Sequence, residues 1–308
     1  MAARSETAGD RPWSRRLAWA VALAALPLLL FGGTVTTLRA GMAIDGWWVL
    51  EPGRGDHFLL FYPAEKWFRD AGTFTEHTHR LFGTLVGLLS IAFLAVAVAI
   101  DRRREVIAFA AAGLVAICAQ GALGGFRVLE NSQDLAFLHG SFAQAVFALL
   151  ACGLVVTSRG WQALPRTPCR RAAPTRLACW VAAAMVYVQI VVGAWLRHSG
   201  AMVPFFLHLV LVVGVIAAVM LAARQLGLAH ADGAAAGVDR SPLRRARVRL
   251  YVLLAAQIAL GGLATLAVLV LSGGFQGHVS TAEMIFATAH VLFGALLLCQ
   301  CVAAALWA

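Results

Sequence analysis

The chain has 308 residues, of which 61% are hydrophobic and only 13% charged, and its mean hydropathy is +0.79. Soluble domains average about a quarter charged residues, so a water-soluble enzyme is excluded and an integral membrane protein is indicated. The net charge of +10 does not point to nucleic acid, because the arginines sit in short loops between apolar runs and form no separate basic domain.

Eight runs reach the roughly 20 apolar residues that a helix needs to cross about 30 Å of hydrocarbon. They are 17–38, 81–100, 106–127, 135–157, 177–197, 203–223, 248–271 and 284–307. The first follows Arg4, Arg11, Arg15 and Arg16 and continues into Gly32-Gly33-Thr34 without a clear small-residue cleavage site. It reads as a retained helix, not a signal peptide. The longest outer loop follows, about 41–75, with Trp47, Trp48, Phe58, Phe61, Tyr62, Trp67 and Phe68. That aromatic set suits an anchor at the headgroup interface, and it suits equally a lid over the outer mouth of the first bundle.

The second run opens with Glu76-His77-Thr78-His79-Arg80. Glu76 and His79 are three apart and share a helix face, whereas His77 points away towards the interface and is no ligand. The third run carries Gln120-Gly121-Ala122-Leu123-Gly124-Gly125 and the fourth His139. A Pro- and Arg-rich stretch, 158–176, then divides the chain. The fifth run carries Gln189-Ile190-Val191-Val192-Gly193-Ala194 and ends near Arg197, and the sixth carries His208. After a connector at 227–242, expected to be flexible, the seventh carries Gln257-Ile258-Ala259-Leu260-Gly261-Gly262 and the eighth His290.

The basic residues fix the expected topology. The amino terminus and the 2–3, 4–5 and 6–7 loops hold four, three, five and six of them, eighteen of 25 in all. The positive-inside rule puts that side, with both termini, in the cytoplasm, and the membrane is read as the inner (cytoplasmic) one. Every even run then starts at the outer face, so His79, His139, His208 and His290 share one depth, four to seven residues inside their helices. With four spans each, 1–164 and 165–308 form a parallel repeat of two pseudo-symmetric four-helix bundles in an all-α membrane protein. Gln120 and Gln257 are expected to make interhelical hydrogen bonds.

Histidine inside a bilayer is costly and needs a reason. Four at matched depth in two repeat-related pairs, His79 with His139 and His208 with His290, suit the axial ligands of two haems. The bland alternative, four core histidines bonded to carbonyls, does not account for the repeat. Glu76 can accept protons or orient water at a porphyrin edge. It also suits the favourable N-terminal end of a helix, with Thr75 as cap. Arg80 and Arg197 can pair with haem propionates or snorkel to the headgroups. His57, His198, His230 and His278 have no matched partner. The six cysteines lie in spans or, for Cys169, a cytoplasmic loop, and read as packing residues.

Glu76-His77-Thr78-His79-Arg80-Leu81-Phe82-Gly83 resembles the Glu-x-x-His-Arg signature of the haem A synthase family. Gly32-Gly33-Thr34-Val35-Thr36 and Ala40-Gly41-Met42-Ala43-Ile44-Asp45 resemble the end of that family's first helix, although this chain continues Gly46-Trp47 where Trp-Pro is usual. Phe205-Phe206-Leu207-His208 and Ala289-His290 fit its third and fourth histidines. The resemblance implies conversion of haem O to haem A by oxidation of a porphyrin methyl to a formyl group. It implies a permanent haem b on His208 and His290, the substrate haem O on His79 and His139, and Glu76 as catalytic residue. A haem O synthase and an unidentified electron donor are the implied partners besides the bilayer; a homo-oligomer is left open. Family members with a cysteine pair in the first outer loop have it tied to redox function, and this chain has no cysteine there. The competing function is a di-haem cytochrome b carrying electrons from quinol, and a third class is a haem-binding assembly partner without turnover.

Overall fold

The structure, a computed structural model, describes residues 12–162, 170–275 and 277–308; Arg4, Arg11, Arg166 and Cys169 lie outside them. Eight long helices cross the membrane: α1 Pro12–Thr37, α2 Ala71–Asp101, α3 Arg104–Leu129, α4 Gln133–Thr157, α5 Ala172–Ser199, α6 Met202–Ala235, α7 Ser241–Leu271 and α8 Thr281–Trp307. The chain is therefore an all-α, multi-pass membrane protein. The described cysteines, Cys118, Cys152, Cys179, Cys299 and Cys301, are free thiols.

Capping side chains set several helix starts. Asp70 Oδ1 accepts the Thr73 N–H at 2.8 Å, so α2 begins ten residues before its apolar run. Ser132 and Ser280 cap α4 and α8 by accepting from Leu135 N–H at 3.2 Å and Glu283 N–H at 3.1 Å. Gly200, in the left-handed region at φ 61°, ends α5. The expected flexible connector at 227–242 is helical as far as Ala235. Its Ala and Leu residues favour helix, and Ala229 and Gly233 are buried.

Packing places α4 and α8 at the centre. Their most apolar stretches are 56% and 50% buried, against 11–33% for the other six helices. In the first set α1 packs on α2, α2 on α3, α3 on α4, and α4 on α1; in the second α5, α6, α7 and α8 close in the same order. The sets meet where α4 touches α5 and α8, and α1 touches α8. Their shared core is rich in alanine, including Ala178, Ala182, Ala222, Ala295 and Ala304, which lets backbones approach closely without a hydrophobic drive from water. Outward Leu88, Val115, Val210 and Val213 remain exposed, as side chains bathed by lipid must.

The loop between α1 and α2 has an inside and an outside. A short hairpin, β1 Val49–Leu50 and β2 His57–Phe58, folds over a small core of Ile44, Leu50, Leu59 and Tyr62. Trp47 lies against Gly125 of α3, and the Trp67 Nε1–H donates to Thr78 Oγ1 of α2 at 3.1 Å. Trp48, Phe58, Phe61 and Phe68 stay exposed. The loop thus rests on the first four helices and still turns aromatic rings outward.

Candidate functional site

The structure brings the four helical histidines together in pairs. His79 of α2 and His139 of α4 have ring centroids 6.2 Å apart at an interplanar angle of 81°. His208 of α6 and His290 of α8 are also 6.2 Å apart, at 73°. All four are half-buried. They lie eight, six, six and nine residues past the first residue of their helices; His139 and His208 fall within the expected four to seven, and His79 and His290 exceed it because the capped starts of α2 and α8 lengthen those helices.

Each imidazole rests on a glycine of the preceding odd-numbered helix. A Cβ built on Gly32, Gly124, Gly193 or Gly261 would stand 2.9, 2.8, 3.0 or 2.9 Å from Cε1 of His79, His139, His208 or His290 respectively. A Cβ at any of the four positions would press on the ring, so a larger residue is accommodated only if the imidazole shifts. Four residues before three of these glycines stands a glutamine. Gln120 donates from Nε2 to the His139 carbonyl at 2.8 Å and approaches its Nδ1 at 3.1 Å. Gln189 donates to the His208 carbonyl at 2.8 Å, and Gln257 Nε2 lies 3.3 Å from His290 Nε2. In α1 that position is Leu28, whose carbonyl lies 3.0 Å from His79 Nδ1. The expected interhelical bonds of Gln120 and Gln257 are therefore bonds to the histidines themselves. The four glycine seats were missed in the sequence, where the recurring Gln-x-x-x-Gly spacing was the signal for three of them.

The donor set suits a haem better than a bare ion. Among the described residues no cluster of three or more His, Cys, Asp or Glu could hold a metal by side chains alone. A porphyrin supplies four ligands and asks for two axial ones. An imidazole nitrogen ligates a metal at about 2 Å, so two opposed imidazoles on one iron have centroids about 6 Å apart. The spacing of both pairs matches. In the second pair His208 Nδ1 and His290 Nδ1 are buried without a hydrogen-bond partner, and His290 Nε2 is the nitrogen near Gln257.

Above the first pair lies a charged knot. Glu76 is 2% exposed; its Oε2 accepts the Ile44 N–H at 3.0 Å and its Oε1 accepts from Arg80 Nη2 at 2.7 Å. Arg80 also donates to the carbonyls of Gly46 at 2.8 Å and Ile44 at 2.9 Å. Arg127 of α3, not singled out in the sequence, donates to the Gly41 carbonyl at 2.6 Å. Glu76, Arg80 and Arg127 thus tie residues 41–46 down over His79. Arg197 leaves its own helix set to donate to the Gly33 carbonyl of α1 at 3.0 Å and to Thr37 Oγ1. His77 is not at the interface: it is buried between the Tyr62 and Trp67 rings, each 5.0 Å away.

The remaining polar groups lie outside both pairs. In the α1–α2 loop Lys66 pairs with Glu51 and approaches His57, and its ammonium holds the Glu51 carboxyl below the usual range. The Asp70 carboxyl is lowered to about 2 by the Thr73 N–H it caps and by Arg69. His198 lines a cleft of about 380 Å³ with Phe137, Val192 and Trp195, beside the pairs. His230 contacts the Arg240 carbonyl at the other end of the helices.

Residues 15–206 match the family described as cytochrome oxidase assembly protein. That segment includes Glu76, His79 and His139 and stops two residues before His208. The chain is similar to the heme A synthase of Symbiobacterium thermophilum, 30% identical over 181 residues, 56% of this chain and 55% of that protein. It is also similar to the heme A synthase of Erythrobacter litoralis, 26% identical over 214 residues (60% and 63%). A third relative, the heme A synthase of Sphingopyxis alaskensis, is 29% identical over 228 residues (64% and 62%). The chain thus spans about 55 to 63% of the length of the curated relatives it matches.

Proposed function

Because the chain belongs to the cytochrome oxidase assembly protein family, we propose that it is a haem A synthase-like oxidoreductase converting haem O to haem A. The observation that carries this reading is the doubled arrangement of two imidazoles facing one another across 6.2 Å. The names of the similar proteins supply the substrate class.

On this reading the chain divides at about 164 into a substrate half and a cofactor half. His79 and His139 hold haem O as substrate; His208 and His290 hold a resident haem b. The resident haem supplies one-electron redox chemistry when bound. The asymmetry that favours this assignment is the charged knot: Glu76, Arg80 and Arg127 crowd the first pair, and a buried carboxylate one turn from an axial ligand can hold or move a proton at the porphyrin edge. In this conformation Arg80 and Arg197 are engaged with Glu76 and with backbone carbonyls. Contact with propionates would exchange those carbonyls for carboxylates, a stronger partner. The outer loop, seated through Trp47 on Gly125, keeps water from the pair's outer side.

The protein sits in the inner membrane with both termini cytoplasmic and the haem sites near the outer face, following the arginine-rich loops. A haem O synthase upstream and an electron donor complete the reaction.

The test is chromatographic. The chain is co-expressed with a haem O synthase in a host that makes no haem A, and the extracted haems are separated. Haem A, or a hydroxylated precursor of it, is the expected product. Folded, haem-loaded protein yielding only haem B and unconverted haem O would overturn the reading in favour of a di-haem electron-transfer cytochrome.

A further inference from the structure

A neutral imidazole carries one N–H and one lone pair, and its hydrogen-bond partner decides which nitrogen has which. The two histidines of the first pair have opposite partners. A carbonyl only accepts, so the Leu28 oxygen 3.0 Å from His79 Nδ1 places that proton on Nδ1 and leaves Nε2 bare. An amide nitrogen only donates. Gln120 Nε2 is oriented by its 2.8 Å bond to the His139 carbonyl, and from there it donates to His139 Nδ1 at 3.1 Å. His139 therefore holds its proton on Nε2, the nitrogen an iron atom requires bare. To ligate, His139 must move the proton to Nδ1, and Gln120 must turn its Oε1 to receive it. That oxygen is buried and without a partner in this conformation.

The contrast traces to sequence. Three odd-numbered helices place glutamine four residues before the glycine seat, and α1 places Leu28 there. Only a backbone carbonyl can then back His79, the arrangement that strengthens a metal-bound histidine.

We propose that Gln120 is a positioning residue that makes His139 the exchangeable axial ligand of the first pair, while the Leu28 carbonyl makes His79 the firm one. The side of the haem left open for reaction is then the α4 side. This inference rests on the reading of the first pair as a haem site.

The experiment uses the full-length protein loaded with haem b, reduced with dithionite and titrated with carbon monoxide, which replaces an exchangeable axial ligand. In Gln120→Glu the carboxylate only accepts, pins the proton on Nδ1 and makes His139 firm. Its carbon monoxide affinity is expected to fall about tenfold, with a lower haem midpoint potential, the effect of one charge-assisted hydrogen bond. In Gln120→Leu the competing donor is gone, and the fall is about fivefold, that of one neutral bond. His139→Ala is expected to keep the first-pair haem and His79→Ala to lose it, with retention of the second haem showing that each variant is folded. Unchanged carbon monoxide affinity and potential in Gln120→Glu, or equal haem retention in the two alanine variants with first-pair haem lost, would overturn the inference. If both alanine variants keep the wild-type haem content, the first pair is no haem site and the functional reading itself falls.

Discussion

The glycine seats give the sharpest quantitative test. In Gly261→Ala the new methyl carbon would stand 2.9 Å from His290 Cε1, whereas carbon atoms rest at about 3.5–4.0 Å. The imidazole, which lies between α7 and α8, must give way by about half an ångström or more, and overpacking of this kind costs about 1–3 kcal/mol. If the strain is released by shifting the ring, the proposed reading of this pair as a haem b site predicts an affinity lower by about five- to 150-fold. The neighbouring Gly262 is the internal control, because nothing lies within 4 Å of a Cβ built there. Gly262→Ala should leave haem content intact and gain up to about 1 kcal/mol of helix propensity. The assay is the haem-to-protein ratio of purified protein by pyridine haemochrome, with thermal unfolding followed in parallel. Equal haem content in the two variants would refute the argument that close packing against glycine holds the ligand in place.

Removing one partner of the buried Glu76–Arg80 pair leaves an uncompensated charge, so Glu76→Ala should lose about 3–5 kcal/mol of local stability. It should also keep haem b and stall conversion; full turnover would eliminate the catalytic role. Gly125→Ala would drive a Cβ to 2.2 Å from the Trp47 ring, so it should unseat the α1–α2 loop and open residues 52–56 to limited proteolysis, with wild-type resistance counting against the seat. The Asp70 carboxyl, lowered from 3.8 to about 2, stabilises the start of α2 above pH 4, and that contribution fades as pH falls towards 2. Fluorescence of Trp67 should report an acid transition in this range that Asp70→Asn, still a competent cap, removes.

Hydropathy alone located all eight helices, because a lipid-exposed helix must be apolar along its length, and the outward Leu88 and Val213 show why the signal is strong. It failed where helices leave the hydrocarbon. The first ten residues of α2 are polar, and the carboxy-terminal part of α6 resembles a linker, so their ends are set by Asp70 and by alanine propensity, which a hydropathy window does not read. The histidines were legible because their spacing repeats. Glu76 and Arg80 were legible as residues but not as a pair clamping Ile44 and Gly46, since loop contacts across more than thirty positions leave no periodic trace. The chain has 29 glycines, and nothing local marks the four that seat the paired imidazoles. Only the shared distance from a glutamine sets three of them apart.

Gly32 and Gly33 are neighbours in α1 that face different halves. Gly32 seats His79, while a Cβ on Gly33 would stand 3.1 Å from Thr288 Cγ2 of α8, and the Gly33 carbonyl receives Arg197. At this level the partition between the two histidine pairs is one backbone thick. A side chain at either glycine pushes the helix towards the opposite pair, so substitutions on its two sides do not add independently. Gly33→Ala therefore asks room of Thr288 in the other half, and a smaller residue at Thr288 would relieve it, so this single turn of helix couples the two halves of the molecule.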